Sequence, residues 1–374
     1  MKLSRLIIEG YKSIDKAGQT IEFGDVTVLL GANGSGKSNL ISFFKMLNFM
    51  TTGALQTFIG EQGYADSILY FGSKNNSRLK AELFFTAGNR NKDTYQFTLS
   101  HASGDTLIFT EEFVTWENQS KNKPTKISLG AGHKESLLYE EAQKGGKGCG
   151  FIRDLLRGCQ VFQFHDTSST AKVRNQGYIG DNRYLRSSAG NLAAFLYMLK
   201  NRAEWRKYFD RIVRHIQLIL PQFDNFILNP SPLNQDYIKL DWKEKNSEYS
   251  FGPHQLSDGS LRFMALTALL LQPEELLPKV FFLDEPELGL HPAAISNFAG
   301  MVRTASQSSQ IVIATQSTRL VDEFDVSEIV VVEHNNINKC SEFRRLEETG
   351  LAEWLERYSL SELWEKNVLG GRPS

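Results

Sequence analysis

The sequence predicts an α/β protein. Its expected parts are a mixed or parallel core sheet, an antiparallel β lobe and a helical lobe inserted within the core sheet's sequence. Three observations predict this. Val26 to Leu30, Val280 to Leu283 and Gln310 to Thr315 are short, largely apolar runs bounded by polar turns, the pattern of strands buried on both faces. From Leu79 onward the apolar period changes to two, which marks half-buried antiparallel strands. Between Asn191 and Leu220 it changes to helical spacing, ended by Pro221.

Taken in order, Leu3 to Glu9 and Thr20 to Phe23 read as strands, Val26 to Leu30 as the first core strand and Asn39 to Phe49 as a helix. Residues Thr51 to Ser77 are rich in Gly, Ser and Asn and are expected to form loops. Leu79 to Thr86, Thr94 to Ser100 and Thr106 to Trp116 form the β block, with turn signals at Gly88-Asn89 and Ser103-Gly104-Asp105. Lys121 to Pro124 and Lys144 to Gly148 read as turn-rich, mobile chain, and Gln160 to Phe164 as a short strand. In the helical stretch Trp205, Phe209, Ile212, Ile216 and Ile219 should face the core. Phe226 to Leu228, Tyr237 to Trp242 and Tyr249 to Phe251 are further strands. Leu261 to Leu271 is apolar almost all round and reads as a buried helix. Glu328 to Glu333 is expected as the final strand. Leu351 to Trp364 reads as mostly helical, docked by Trp354, Leu355 and Trp364.

Composition bounds the function. The net charge is −1, so any nucleic-acid site must be a local patch. Cys149, Cys159 and Cys340 are too few and scattered for a disulfide framework and contain no C-x-x-C pair, which fits a reducing, cytoplasmic setting. The N-terminus is charged and alternating, unlike a signal peptide. No run approaches the ~20 apolar residues of a membrane span, so no membrane partner is expected.

Two stretches carry chemistry. Gly31-Ala32-Asn33-Gly34-Ser35-Gly36-Lys37-Ser38 fits G-x-x-x-x-G-K-[ST], between a buried strand and a helix. Glycines let backbone N–H groups curve around phosphate oxygens, and the helix N-terminus adds positive potential. Lys37 then reaches the outer phosphates and the Ser38 hydroxyl ligates Mg²⁺. In the second stretch, the turn Leu256-Ser257-Asp258-Gly259-Ser260 opens the apolar helix, and the following strand ends on Asp284 and Glu285. Acids at the C-terminal end of a buried strand face the crevice where open α/β sheets bind ligands.

Together, GANGSGKSN, LSDGS, FFLDEPELGLHP and ATQS resemble the ATP-binding-cassette (ABC-type) ATPases of the RecF/SMC branch, most closely the standalone RecF-like AAA-family ATPases of bacteria. The opening Leu6 to Ile14 is similar to the start of that branch. Phe164 to Ser168, Asn182 to Arg186, Gly190 to Phe195 and the ending Gly370 to Pro373 resemble the standalone subgroup. The resemblance implies a single ABC-type ATPase head over residues 1–374, with an N-terminal lobe at 1–160, a helical and strand insert at 161–255 and a C-terminal lobe at 256–374.

The resemblance also implies roles. Asn33, Gly34, Ser35, Gly36, Lys37, Ser38, Asn39 and Lys12 would bind ATP, Ser38 and Asp284 would hold Mg²⁺, and Glu285 would polarise the attacking water. Ser257, Asp258 and Gly259 would cap the γ-phosphate of ATP held by a partner copy, so an ATP-dependent homodimer is implied. Gln163 by residue type, or His165 by position, would link the lobes near the metal; the alternative is a plain capping turn at Asp166 or Thr167. Gln316 stands where a switch histidine is usual; it can hydrogen-bond but cannot become cationic. Arg183, Arg186, Lys207, Arg211 and Arg214 form either a double-stranded-DNA surface or an ordinary solvated face. DNA clamping or repair competes with a second output, control of a separately encoded effector such as a nuclease or toxin in antiphage defence. A transport subunit fits less well, because the chain between the two nucleotide motifs is longer than transport subunits carry.

Overall fold

The computed structural model describes residues 2–87, 91–118 and 123–371. The turn signal at Gly88-Asn89, Lys121 and Asn122 of the turn-rich stretch, and Arg372 and Pro373 lie outside the described residues. The chain divides into two compact units: Met1–Val161, Pro278–Phe282 and Gln310–Ser374 form one, and Phe162–Leu277 with Leu283–Ser309 the other. The stretch 256–374 is thus shared between both.

The first unit contains an antiparallel six-stranded sheet in the order Gln19–Glu22, Lys2–Glu9, Arg78–Ala87, Asn91–Ala102, Thr106–Asn118, Lys123–Gly130. Period-two alternation puts Leu79, Ala81, Leu83 and Phe85 on one buried face, beside Tyr95, Phe97 and Leu99. A mixed sheet runs Cys340–Arg345, Ile329–Asn335, Val26–Leu30, Gln310–Thr315, Val280–Asp284, Cys159–Phe162. Val26–Leu30 is parallel to both of its neighbours, whereas Cys340–Arg345 pairs antiparallel at the edge. The helix Lys37–Thr51 contacts both sheets of this unit: Phe43 stacks on Phe97 at 6.4 Å and Phe44 on Phe282 at 4.0 Å between ring centroids. Each such buried ring contributes about 1.5–3 kcal/mol of transfer free energy. This double burial holds the start of the helix, and hence the loop before it, in a fixed place.

The second unit is built from the helices Leu192–Asn201, Arg206–Ile219, Asp258–Leu270 and Pro292–Ala305. It also carries a three-stranded antiparallel sheet of Phe223–Ile227, Asp241–Glu244 and Ser250–Phe251, and a two-stranded pair of Gly177–Tyr178 with Tyr237–Ile238.

Several expectations need correction. The stretch 51–77 contains two short helices, Leu55–Glu61 and Tyr64–Ile68, because Leu55, Phe58, Ile59, Ala65 and Ile68 all find burial. The turn-rich chain at 123–124 and 144–148 instead supplies the strand Lys123–Gly130 and starts the helix Lys147–Arg157. The expected helix at 191–220 breaks at Arg202, whose backbone is extended, and Trp205 becomes the N-cap of the next helix. Phe209, Ile212 and Ile216 are buried as expected, but Trp205 and Ile219 are half-exposed. The stretch Tyr237 to Trp242 splits between two sheets. The strand at Ile329–Asn335 is not the last, since Cys340–Arg345 follows. The C-terminal helix is two, Glu348–Leu355 and Leu360–Glu365, the second capped by Ser359. Trp364 is buried there, but Trp354 is 44% exposed and does not anchor the segment. The three cysteines are free and buried. Among the described residues no helix is long and apolar enough to cross a membrane.

Candidate nucleotide-binding site

The phosphate loop lies wholly in the first unit, between Val26–Leu30 and the helix Lys37–Thr51. Gly31 N donates to Thr315 O at 3.3 Å, and Ala32 N to Gly371 O at 3.1 Å, so the loop is tied to a neighbouring core strand and to the C-terminal segment. Gly36, the N-cap, has φ +113°, and a Cβ there would lie 2.1 Å from Ser341 Oγ. Only glycine fits. Ser341 Oγ in turn bonds Ser35 O at 2.6 Å and Ser13 Oγ at 2.7 Å, and Asn39 Nδ2 donates to Ser13 Oγ at 2.7 Å. Lys37 is buried, and its Nζ donates to Gly31 O at 2.6 Å and Ala32 O at 2.9 Å, lying across the loop. Asn33, Gly34 and Ser38 are exposed on the loop's outer side. The 15-residue helix behind them directs its positive end at the same place.

Lys12 has a left-handed backbone, φ 47°. Its Nζ donates to Ser42 Oγ at 2.9 Å and Gln62 Oε1 at 2.8 Å. Burial, and then the nearby Lys45 charge, hold its pKa below the usual lysine value. Gln316 follows the strand Gln310–Thr315 and is half-exposed.

The acids belong to the second unit. Asp284 ends its strand and is buried, and Gln163 Nε2 donates to its Oδ2 at 2.7 Å. His165 Nε2 lies 2.8 Å from the Asp284 backbone carbonyl, so this nitrogen carries the proton. Both linking candidates therefore touch the same aspartate. Asp166 receives bonds from Ser168 N and Oγ in a local turn, but the next element, the helical turn Lys172–Arg174, has its N-cap at Ala171 and starts at neither Asp166 nor Thr167. Glu285 has φ 43°, a conformation that costs a non-glycine residue about 1–3 kcal/mol and recurs at functional sites.

The turn Leu256 to Ser260 is fixed from below. Ser257 is the N-cap of Asp258–Leu270, its Oγ accepting from Ser260 N at 3.1 Å. The helix thus begins three residues before Leu261. Asp258 pairs with Arg174 Nη2 at 2.7 Å, and the Arg174 bond, followed by Thr167, holds its carboxyl below the usual carboxylate range. Arg174 is buried and also donates to Thr167 O and Leu256 O, at 2.7 and 3.1 Å. A Cβ on Gly259 would lie 2.1 Å from Gly289 O, so this turn and the chain after Glu285 approach backbone to backbone.

Sequence reasoning missed Arg262. Its guanidinium donates to Phe164 O at 3.0 Å, His165 O at 2.8 Å and Leu288 O at 3.0 Å, joining three motif segments of the second unit. The available signal was a lone arginine in an otherwise apolar helix just after LSDGS. The basic residues have mixed fates. Arg186 pairs with Asp181 at 2.9 Å, and Arg211 donates to Leu271 O at 2.8 Å. Arg183 and Lys207 lie over Tyr184 and Tyr208, and Arg214 is exposed.

Comparison with known proteins bears on the family and the fold. Residues 5–188 match a family model described as "AAA domain", and residues 173–322 match one described as "AAA domain, putative AbiEii toxin, Type IV TA system". No curated protein sequence matches the chain. Among solved structures, an SMC head bound to the C-winged helix domain of ScpA is similar over 94% of this chain and 100% of that one, at 15% identity and TM-score 0.57. An SMC head with an extended coiled coil, bound to the C-terminal domain of ScpA and derived from Pyrococcus furiosus, is similar over 95% and 98%, again at 15% identity and TM-score 0.57. The fold is that of an SMC-type ATPase head. With its two AAA-domain matches and its nucleotide motifs, the chain is similar to the RecF/SMC-like ABC-type ATPases.

Proposed function

We propose that the protein binds MgATP, dimerises around it and hydrolyses it, using the nucleotide state to control an output on double-stranded DNA. The phosphate loop and Lys37 hold the phosphates, with Asn39 and Lys12 beside them. Ser38 in the first unit and Asp284 in the second are the residues that would ligate Mg²⁺, which would supply positive charge to the phosphates. Glu285 orients the attacking water and accepts its proton. Gln316 supplies a neutral hydrogen bond to the γ-phosphate or the water. Ser257 and Gly259 reach the γ-phosphate of the partner copy's ATP. The observation that carries this reading is the pairing of Gln163 with Asp284, a polar side chain held on the carboxylate that the motif assigns to the metal. Glu285→Gln tests it. The variant should bind ATP, hydrolyse it at least 100-fold more slowly and accumulate as a dimer; a light-scattering mass that stays monomeric with ATP refutes the dimer.

DNA as the output is tested by the ATPase rate with and without double-stranded DNA at two salt concentrations, since phosphate contacts make binding salt-dependent. Stimulation that fades with salt supports it. A second reading, control of a separately encoded effector in antiphage defence, is favoured by the engagement of Arg186 with Asp181 and of Arg211 with Leu271. The toxin–antitoxin description of one family match and the ScpA-bound SMC heads favour it as well. A rate indifferent to DNA at both salt concentrations selects this reading.

A further inference from the structure

The phosphate loop accounts for the charged end of a nucleotide and leaves its base without a partner. In the first unit a cavity of about 680 Å³ adjoins the phosphate-loop helix at Asn39, with Ser13 beside it. Lys12, Phe71 and Lys339 line it, and all three have left-handed backbones, with φ of 47°, 51° and 55°. Among the described residues only nine non-glycine residues do so, and three of them meet here. Such a conformation costs free energy that the surrounding fold must supply.

Phe71 is the informative member. A bulky side chain at positive φ is unusual, and this ring is 57% exposed, so it contributes little to the core. The chain nevertheless fixes it. Asn75 Nδ2 donates to Phe71 O at 2.8 Å, Gly72 N to Leu69 O at 3.1 Å and Ser73 N to Asp66 Oδ1 at 2.8 Å. The Tyr70 ring meets that of Phe71 nearly at right angles, 4.7 Å between centroids, and the Tyr70 hydroxyl donates to Asn338 O at 2.9 Å. The two rims of the cavity are thereby joined, with an aromatic ring on one and the ammonium of Lys339 on the other.

We propose that Phe71 stacks against the nucleobase of the bound nucleotide, an assignment that rests on the nucleotide-binding reading above. Stacking uses a π-face and not a base edge, so the ring serves adenine and guanine alike. Calorimetry with ATP, GTP and tripolyphosphate, the last lacking a base, tests it. Phe71→Ala should weaken ATP and GTP roughly 5- to 150-fold, the usual range for one lost stacking contact, and leave tripolyphosphate unchanged. Phe71→Trp should restore both nucleotides. Because the ring is exposed, its removal should not move the unfolding temperature. Wild-type ATP affinity in Phe71→Ala overturns the stacking role, as does an equal loss of all three ligands. Wild-type protein that binds none of the three overturns the nucleotide-binding reading itself, and the stacking role with it.

Discussion

Gln163 Nε2 donates to Asp284 Oδ2 at 2.7 Å, while His165, two residues on, holds the backbone carbonyl of the same aspartate at 2.8 Å. One turn thus grips Asp284 twice, once through the side-chain carboxylate that the motif assigns to the metal and once through the backbone carbonyl. The two grips have different consequences. Losing Gln163 frees the carboxylate to rotate; losing His165 loosens the strand end that carries it.

The first prediction follows. Groups that orient a metal-ligating carboxylate typically contribute 10- to 100-fold in metal affinity or activity. Gln163→Ala should raise the Mg²⁺ concentration needed for half-maximal ATPase roughly 10- to 100-fold. His165→Ala should change that requirement less and lower the rate at saturating Mg²⁺. Titrating Mg²⁺ against both variants checks this, and a Gln163→Ala curve that superimposes on wild type removes the residue from the metal site.

The second concerns Arg174 and Asp258. The pair is partly exposed, with the arginine buried and the aspartate open to water. The folded pKa of Asp258 is depressed, chiefly by its bond to Arg174. A depressed carboxylate pKa gives stability that is present above the unfolded value and is lost as pH falls through the folded one. The turn should therefore stay ordered as pH falls past the ordinary carboxylate range, near 3.9, and loosen only below it. Arg174→Gln should return the Asp258 titration to the ordinary range and speed amide exchange at residues 258–261. An NMR titration of Asp258 that is unaltered by Arg174→Gln removes the pair as the cause.

Most of this arrangement was legible because the motifs are local. The phosphate loop needs its strand, glycines, lysine and helix in sequence, so Val26 to Ser38 declares itself. Asp284 and Glu285 end an apolar run and declare themselves the same way. What could not be read was long-range. Arg262 and Arg174 look like surface charges until their distant backbone partners are in view: Leu256 O lies 82 residues from Arg174, and Phe164 O 98 residues from Arg262. Short elements also hid. Tyr64–Ile68 is too short for helical periodicity to rise above a polar background, and it is held by tertiary packing instead. Phe71 was invisible for the opposite reason: an isolated phenylalanine in a Gly- and Ser-rich stretch carries no pattern.

The third prediction tests the backbone contact between Gly259 and Gly289. Gly259→Ala would place its Cβ 2.1 Å from Gly289 O, and backbone cannot yield as a flexible side chain does. The variant should lose about 1–3 kcal/mol of stability and most ATP hydrolysis. Its affinity for tripolyphosphate, which the phosphate loop in the first unit is assigned to bind, should not change. Thermal unfolding and calorimetry read the two effects separately. Normal hydrolysis in Gly259→Ala would show that this approach is not needed for the reaction.

The last prediction concerns Ser257. It is exposed, and its Oγ caps the helix Asp258–Leu270 by accepting from Ser260 N. The chain already supplies one complete phosphate cradle at Gly31 to Ser38, so a second helix-opening turn of this kind is surplus unless it serves another copy's nucleotide. Ser257→Arg should leave ATP binding intact and abolish dimer closure and hydrolysis, at the cost of about 1 kcal/mol for the lost cap. Ser257→Asp separates the two effects: aspartate caps as well as serine does, yet it sets a negative charge against a partner's γ-phosphate. It should keep the unfolding temperature and still lose dimerisation. Mixing Ser257→Arg with Lys37→Ala sharpens the test. In a mixed dimer one composite site carries both defects and the other carries neither, so two inactive proteins should regain part of the wild-type rate on mixing. Ser257→Arg that hydrolyses ATP at the wild-type rate while remaining a monomer overturns the shared site, because every step would then be complete within a single chain.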